Sequence, residues 1–236
     1  MNPGVYKNPS IEIFNIRIDE PVTMITDVLV SVVCFYAYWE LMRMEIRNRI
    51  HFFYRSFFLL MGLATFWGGI IGHSFVYALS IEWKIPGWFL SMLAIAFAER
   101  ACILYAKPLI QKGFGEFFTW LNIFELILFM IISVLTLNFY FVVGHSAYGL
   151  VVVMASFQMY VYFRTRHKGS LQFLYAVIWS ALGALIFINQ WAISKWFNHI
   201  DIGHVLMAMS SWNIYKGAVL NLQQPEYVRE TENRLA

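Results

Sequence analysis

"FFTWLNIFELILFMIISVLTL", residues 117–137, carries a single charged side chain, Glu125. Roughly 20 mostly apolar residues wound as an α-helix match the hydrocarbon thickness of a bilayer. A helix at the surface of a soluble domain keeps one polar face. Here Leu, Ile, Phe and Met occupy every face, so the stretch reads as a membrane-spanning helix and decides the fold class.

Working outward, six further runs of this kind are expected, near Val22–Met42, Arg55–Leu79, Gly87–Ala106, Val142–Phe163, Leu171–Ser194 and Ile200–Leu220. Only "NFYF" divides the fourth span from the fifth. With 60% hydrophobic and 13% charged residues, the chain lies outside the range of soluble domains. No alternation of the kind a transmembrane barrel needs accompanies these runs. The expected fold is therefore an all-α membrane protein, a seven-transmembrane-helix bundle over residues 22–221, with tails at 1–21 and 222–236. The first twenty residues have no apolar core of a signal peptide and read as a tail with a short interfacial segment around Ile11–Ile18. Cys34 and Cys102 lie in separate apolar runs without a CxxC pair, which points away from a disulfide framework. The small positive balance belongs to loops and implies no nucleic-acid partner.

Those loop charges orient the chain. Arg43, Arg47, Arg49 and Arg55 fall in the first loop, Lys107 and Lys112 in the third, and Arg164, Arg166 and Lys168 in the fifth. The even loops carry only Lys84 and Lys195. Basic loops stay cytoplasmic, so the N-terminus is expected outside and the C-terminus in the cytoplasm, in the plasma membrane or a bacterial inner membrane. Lys216 then snorkels to the inner interface.

Ionisable groups inside a membrane are costly and mark function by default. At about 1.5 Å per helical residue, Asp27, His73, His145, Asn189, Gln190, His199, Asp201 and His204 all fall in the outer half. Cheap placement near helix ends explains His145, Asn189 and Gln190. His73 is different: "TFWGGIIG" leads into it, and glycines let helices approach closely beside a functional side chain. In "FNHIDIGH", residues 197–204, Asp201 and His204 are three apart and share a helix face. Asp201 is also a natural N-terminal cap, whereas capping cannot explain His204, one turn deeper. His199 converges with them only from a turn before the helix. His51 and His167 fall in basic loops, where solvation explains them. Glu40 and Glu99 are expected in structural pairs, and Glu125 is a candidate for a proton path.

Histidines with an open coordination position suit zinc, whose bound water ionises near pH ~7. The candidate ligands are His73, His199, His204 and Asp201, and Asp27 or Asp201 is the candidate proton acceptor.

This pattern resembles the CREST superfamily, the alkaline ceramidase and adiponectin-receptor-like membrane hydrolases. The resemblance rests on seven spans, an outward N-terminus, Asp27 in the first span, His73 late in the second and His204 early in the seventh. It implies a zinc site of one second-span and two seventh-span histidines spaced HxxxH, and a lipid amide or ester as substrate. The chain departs from the family at Ile200, four before His204, and at Gly69, where the family carries a serine. Three functions are then expected. The first is a zinc-dependent lipid amidase or esterase, with the acyl chain between helices lined by Phe and Met. The second is a heme-binding electron-transfer protein with His73 and His204 as axial ligands. The third is a non-catalytic receptor or complex subunit, with a membrane-protein partner or a second copy of itself. Lys216 has no evident counterion, which argues against a retinal protein.

Overall fold

The computed structural model describes residues 9–224, so the expected ends of both tails, 1–8 and 225–236, lie outside the described residues. The chain begins with an antiparallel hairpin, β1 (Ser10–Ile13) and β2 (Ile16–Asp19), with Ile11 opposite Ile18 and Ile13 opposite Ile16. Phe14 and Asn15 both have positive φ, the signature of a two-residue hairpin turn. The segment expected at Ile11–Ile18 is thus a hairpin, which adds a small β element to the helical fold.

Eight helices come next: α1 (Pro21–Met42), α2 (Arg49–Trp67), α3 (Ile85–Ala106), α4 (Lys112–Thr136), α5 (Tyr140–Ala147), α6 (Ala155–Thr165), α7 (Lys168–Asn189) and α8 (His199–Gln223). Two wider π turns interrupt the regular winding. One, Gly68–His73, prolongs α2; the other, Tyr148–Met154, joins α5 and α6 into one rod. A 3₁₀ turn, Ile81–Lys84, leads into α3. Six helical segments are long and apolar enough to cross a membrane: Pro21–Met42, Arg49–His73, Ile81–Leu109, Lys112–Thr136, Tyr140–Thr165 and Lys168–Asn189. The last helix, α8, is equally long but less apolar, because Asp201, His204, Ser210, Ser211 and Asn221 lie along it.

The boundaries have local causes. Pro21 opens α1, at a position where its missing N–H costs nothing. Asn48 caps α2 by accepting the His51 N–H at 2.8 Å, so this helix starts earlier than the expected Arg55. Leu137, in a left-handed conformation, ends α4, and Asn138 accepts the Tyr140 N–H at 2.9 Å to start α5. Left-handed Gln190 ends α7, leaving residues 190–198 irregular rather than helical to Ser194.

The interior is built from small and aromatic side chains. Buried Ala94, Ala98, Ala101, Cys102 and Ala106 let α3 run through the middle of the bundle. The broadest helix contacts are α7 with α8, α2 with α3, and α1 with both α2 and α8. Large apolar groups such as Trp120, Leu135 and Ile188 point outward. Both cysteines are buried and free, as the sequence implies.

His51 and His167 require a correction, since both are buried rather than solvated. His51 Nε2 lies 2.8 Å from the Leu41 carbonyl at the end of α1, which also accepts the Met44 N–H at 3.1 Å. His167 lies 3.3 Å from the Tyr105 hydroxyl and 3.2 Å from Gln224 Oε1. Its burial holds the imidazole below the usual histidine range.

Candidate metal centre

α1, the π turn after α2, and α8 bring Asp27, His73 and His204 together. One ligand atom from each lies within 4.8 Å of the others. Asp27 bridges the two rings: Oδ1 is 3.3 Å from His204 Nε2, and Oδ2 is 3.7 Å from His73 Nε2. The imidazoles stand edge to face, with centroids 6.0 Å apart.

Close approach of α1 and α2 makes this possible. A Cβ on Gly69 would sit 3.0 Å from the Met24 carbonyl and 3.1 Å from Asp27 Cβ; one on Gly68 would sit 3.0 Å from Asp27 Oδ2. The glycines before His73 thus admit the carboxylate. The π winding of Gly68–His73 sets the direction of the imidazole at its end.

The outer ring nitrogens are also engaged. The Thr26 hydroxyl donates to the Thr23 carbonyl at 3.0 Å and lies 3.1 Å from His204 Nδ1. In the Nδ1–H tautomer His204 donates to Thr26 and turns an unprotonated Nε2 to Asp27. His73 Nδ1 is paired with the Glu20 carboxylate. Two imidazole nitrogens and a carboxylate thus converge on one point, a donor set that a cation can bridge. In a tetrahedral zinc site with bonds of about 2.0–2.1 Å, neighbouring ligand atoms lie roughly 3.3 Å apart. The residues present fit that ion, with three protein ligands and one open position.

The structure also sorts the other sequence candidates. Asp201 is buried and closes a capping box: its Oδ2 accepts the Asn198 N–H at 2.6 Å while Asn198 caps Ile200 at 2.8 Å. Its Oδ1 is buried without a hydrogen-bond partner among the described residues. Asp201 is therefore a cap with one carboxylate oxygen to spare, outside the cluster of ligand atoms. His199 stands at the first helical position of α8 and packs its ring on Phe187 of α7, with centroids 5.6 Å apart. It does not join His73 and His204. Asp27, expected as a base, lies among the clustered potential ligand atoms.

Glu20 and Thr26 were not among the residues the sequence singles out. Glu20 sits at φ 48°, ψ 50°, a left-handed conformation that a non-glycine residue adopts only when its surroundings impose it. The hairpin imposes it, since Asp19 N–H donates to the Ser74 carbonyl at 2.9 Å and so docks β2 on the end of the π turn. The period-two pattern "IEIFNIRID" signals that hairpin, but nothing in the sequence shows where it delivers Glu20. Carboxylates on the far nitrogen of a ligating histidine orient it and raise its basicity. Glu20→Gln should therefore weaken metal retention about 10- to 100-fold, measured by chelator competition on purified protein.

A family model covers residues 22–223, nearly the whole described chain, under the description "Family of unknown function (DUF6962)". The chain belongs to that family. No curated protein and no solved structure matches this DUF6962 member. The matched segment covers the eight α-helices of the described residues except Pro21 of α1, and it contains Asp27, His73 and His204 while beginning two residues after Glu20.

Proposed function

We propose that this DUF6962 protein is a multi-pass integral membrane protein with seven crossing helices, N-terminus out and C-terminus in the cytoplasm. We infer that its Asp27–His73–His204 centre holds zinc and hydrolyses an amide or ester bond of a membrane lipid. The basic first, third and fifth loops support the orientation, and the outward Trp, Leu and Ile side chains support burial of the bundle in lipid. The convergence of two imidazole nitrogens and a carboxylate on one point carries the metal reading.

An apolar groove supports a lipid substrate. It has a volume of about 590 Å³ and runs between α1, α7 and α8, with Leu29 and Val205 among its lining residues; Asp27, His73 and His204 do not line it. Val33, Ala208, Met209 and Trp212 also line it. Its lining is almost wholly apolar and open sideways, where Leu29, Ile178 and Trp212 are exposed. Aliphatic and indole side chains line it, rather than the Phe and Met anticipated from composition, although Met209 contributes.

Zinc in such a site supplies a Lewis acid that polarises a carbonyl and brings the ionisation of water to near neutral pH. The chain's own residues do the rest. Glu20 and Thr26 hold the two imidazoles by their outer ring nitrogens. We assign to the spare Oδ1 of Asp201, one turn before His204, the role of taking a proton from water and returning it to the leaving amine or alcohol. The groove anchors the acyl chain of the lipid.

Resemblance to the CREST hydrolases supports the same reading at His73 and His204, with Asp27 in place of their second seventh-span histidine. The heme alternative is less well supported, because the Asp27 carboxylate bridges the two histidines where a porphyrin would need to lie. The test is a purified protein assayed with long-chain and short-chain lipid amides and esters. Ala208→Phe should raise KM for the long chains about tenfold or more while leaving short-chain turnover intact. Absence of hydrolysis, with no metal lost when His204 is replaced, would leave the receptor or subunit reading in its place.

A further inference from the structure

A second cluster shares no residue with the first. Glu99 of α3, Glu125 of α4 and His145 of α5 bring one ligand atom each within 4.8 Å of the others. Their exposures are 0%, 5% and 0%. Among the described residues, Glu99 Oε1, both oxygens of Glu125 and both nitrogens of His145 have no hydrogen-bond partner. His145 Nε2 stands 3.3 Å from Glu125 Oε2, yet without the alignment of a hydrogen bond.

The surroundings do not satisfy these atoms. Asn122 Nδ2 donates to Glu99 Oε2 at 3.2 Å, and Asn122 Oδ1 in turn accepts from Arg100 Nε at 3.0 Å. Arg100 spends a further donor on the Thr119 carbonyl at 2.6 Å. The guanidinium therefore braces Glu99 through Asn122 and forms no direct ion pair with it. His145 lies edge-on to Phe129, with centroids 5.7 Å apart. Gly149, in the second π turn, presses bare backbone against Glu99, where any Cβ would collide with the carboxyl.

Buried polar atoms without partners are costly, and charged ones more so. One proton can join only two of these five atoms, whereas a cation joins all three residues at once. We propose that Glu99, Glu125 and His145 form a second metal site, closed inside the bundle and distinct from the Asp27 centre. Two carboxylates and one imidazole, with no thiolate, suit a divalent ion of the manganese, iron or zinc class. Set on three helices, such an ion ties α3, α4 and α5 together.

The test uses full-length protein in detergent, stripped with chelator and reloaded with Mn²⁺ or Zn²⁺, with bound metal counted per chain. Wild type should take up one more equivalent than Glu125→Gln or His145→Ala, and His204→Ala should retain that equivalent. The comparison between wild type and Glu125→Gln does not depend on the first centre: an empty Asp27 site lowers both counts alike. Mn²⁺ should also raise the melting temperature of His204→Ala protein, a readout that stands even if Glu125→Gln fails to fold. Equal metal in wild type and Glu125→Gln, or no Mn²⁺-dependent shift in His204→Ala, would overturn the proposal and leave a proton-bearing carboxyl pair.

Discussion

Replacing His204 by Ala should cost the protein one equivalent of metal and its lipid hydrolysis in the same step, with a rate loss of about 10³-fold or more. The reason is that His204 is held on both sides. Thr26 fixes its outer nitrogen and Asp27 faces its inner one, so no neighbouring side chain can take its place. His73→Ala should behave in the same way. Asp201→Asn should separate the two effects. Asn keeps an oxygen for the Asn198 N–H, so the helix cap survives, and metal content should stay at the wild-type level. The carboxylate that accepts a proton is lost, however, and a general base is worth about 10²–10⁴-fold. Metal analysis and a single lipid-hydrolysis assay on the three variants check this. Full metal and full turnover in His204→Ala would remove the centre from consideration.

The second large effect concerns stability. Gly217→Ala places a Cβ 2.7 Å from two ring carbons of Phe173 and 3.0 Å from the backbone oxygen of Gly169. Phe173 is fully buried and stacks on Tyr54 with centroids 5.6 Å apart, so the ring has nowhere to retreat. The backbone oxygen cannot move without moving α7. Overpacking of this sort costs about 1–3 kcal/mol, which for a chain of this length lowers the melting temperature by roughly 2–4 °C per kcal/mol. Gly203→Ala, on the same helix, is the matched control. Nothing lies within 4 Å of its added Cβ, so it should be neutral or stabilise by up to about 1 kcal/mol through helix propensity. Thermal unfolding in one detergent compares them. Equal melting of the two variants would mean that α7 and α8 pack differently.

Much of the helical layout was legible in the sequence because apolar runs declare themselves. The first, third and fourth segments fall close to their expected positions. Asn48 moved the start of the second, since the basic residues after it suggested a loop while the buried His51 shows a helix already under way. His73 and His204 were legible as partners because position along the helices pairs them: one follows the end of the second helix and the other opens the last. Asp201 and His199 were not separable, because a cap and a ligand use the same residue types at the same spacing. The Glu99–Glu125–His145 cluster was illegible for a stronger reason. Counted along their helices, Glu125 read as a proton-path residue, His145 as a cheap interfacial group and Glu99 as half of an ion pair. Only the rotation of α3, α4 and α5 about their own axes brings them face to face. That rotation is set by packing such as Gly149 on Glu99, which no hydropathy pattern records.

The π turn before His73 has an evolutionary consequence. A π turn in an α-helix amounts to one inserted residue. Deleting one residue, such as Ile70 or Ile71, lets the turn relax to ordinary winding, so the helix before it and His73 after it keep nearly the same relative phase. A second deletion has no π turn left to absorb it and swings His73 by about 100°. Within the family, a one-residue gap at residues 68–73 is therefore compatible with a retained centre, whereas a two-residue gap points the histidine elsewhere even where residue identity counts the centre as intact.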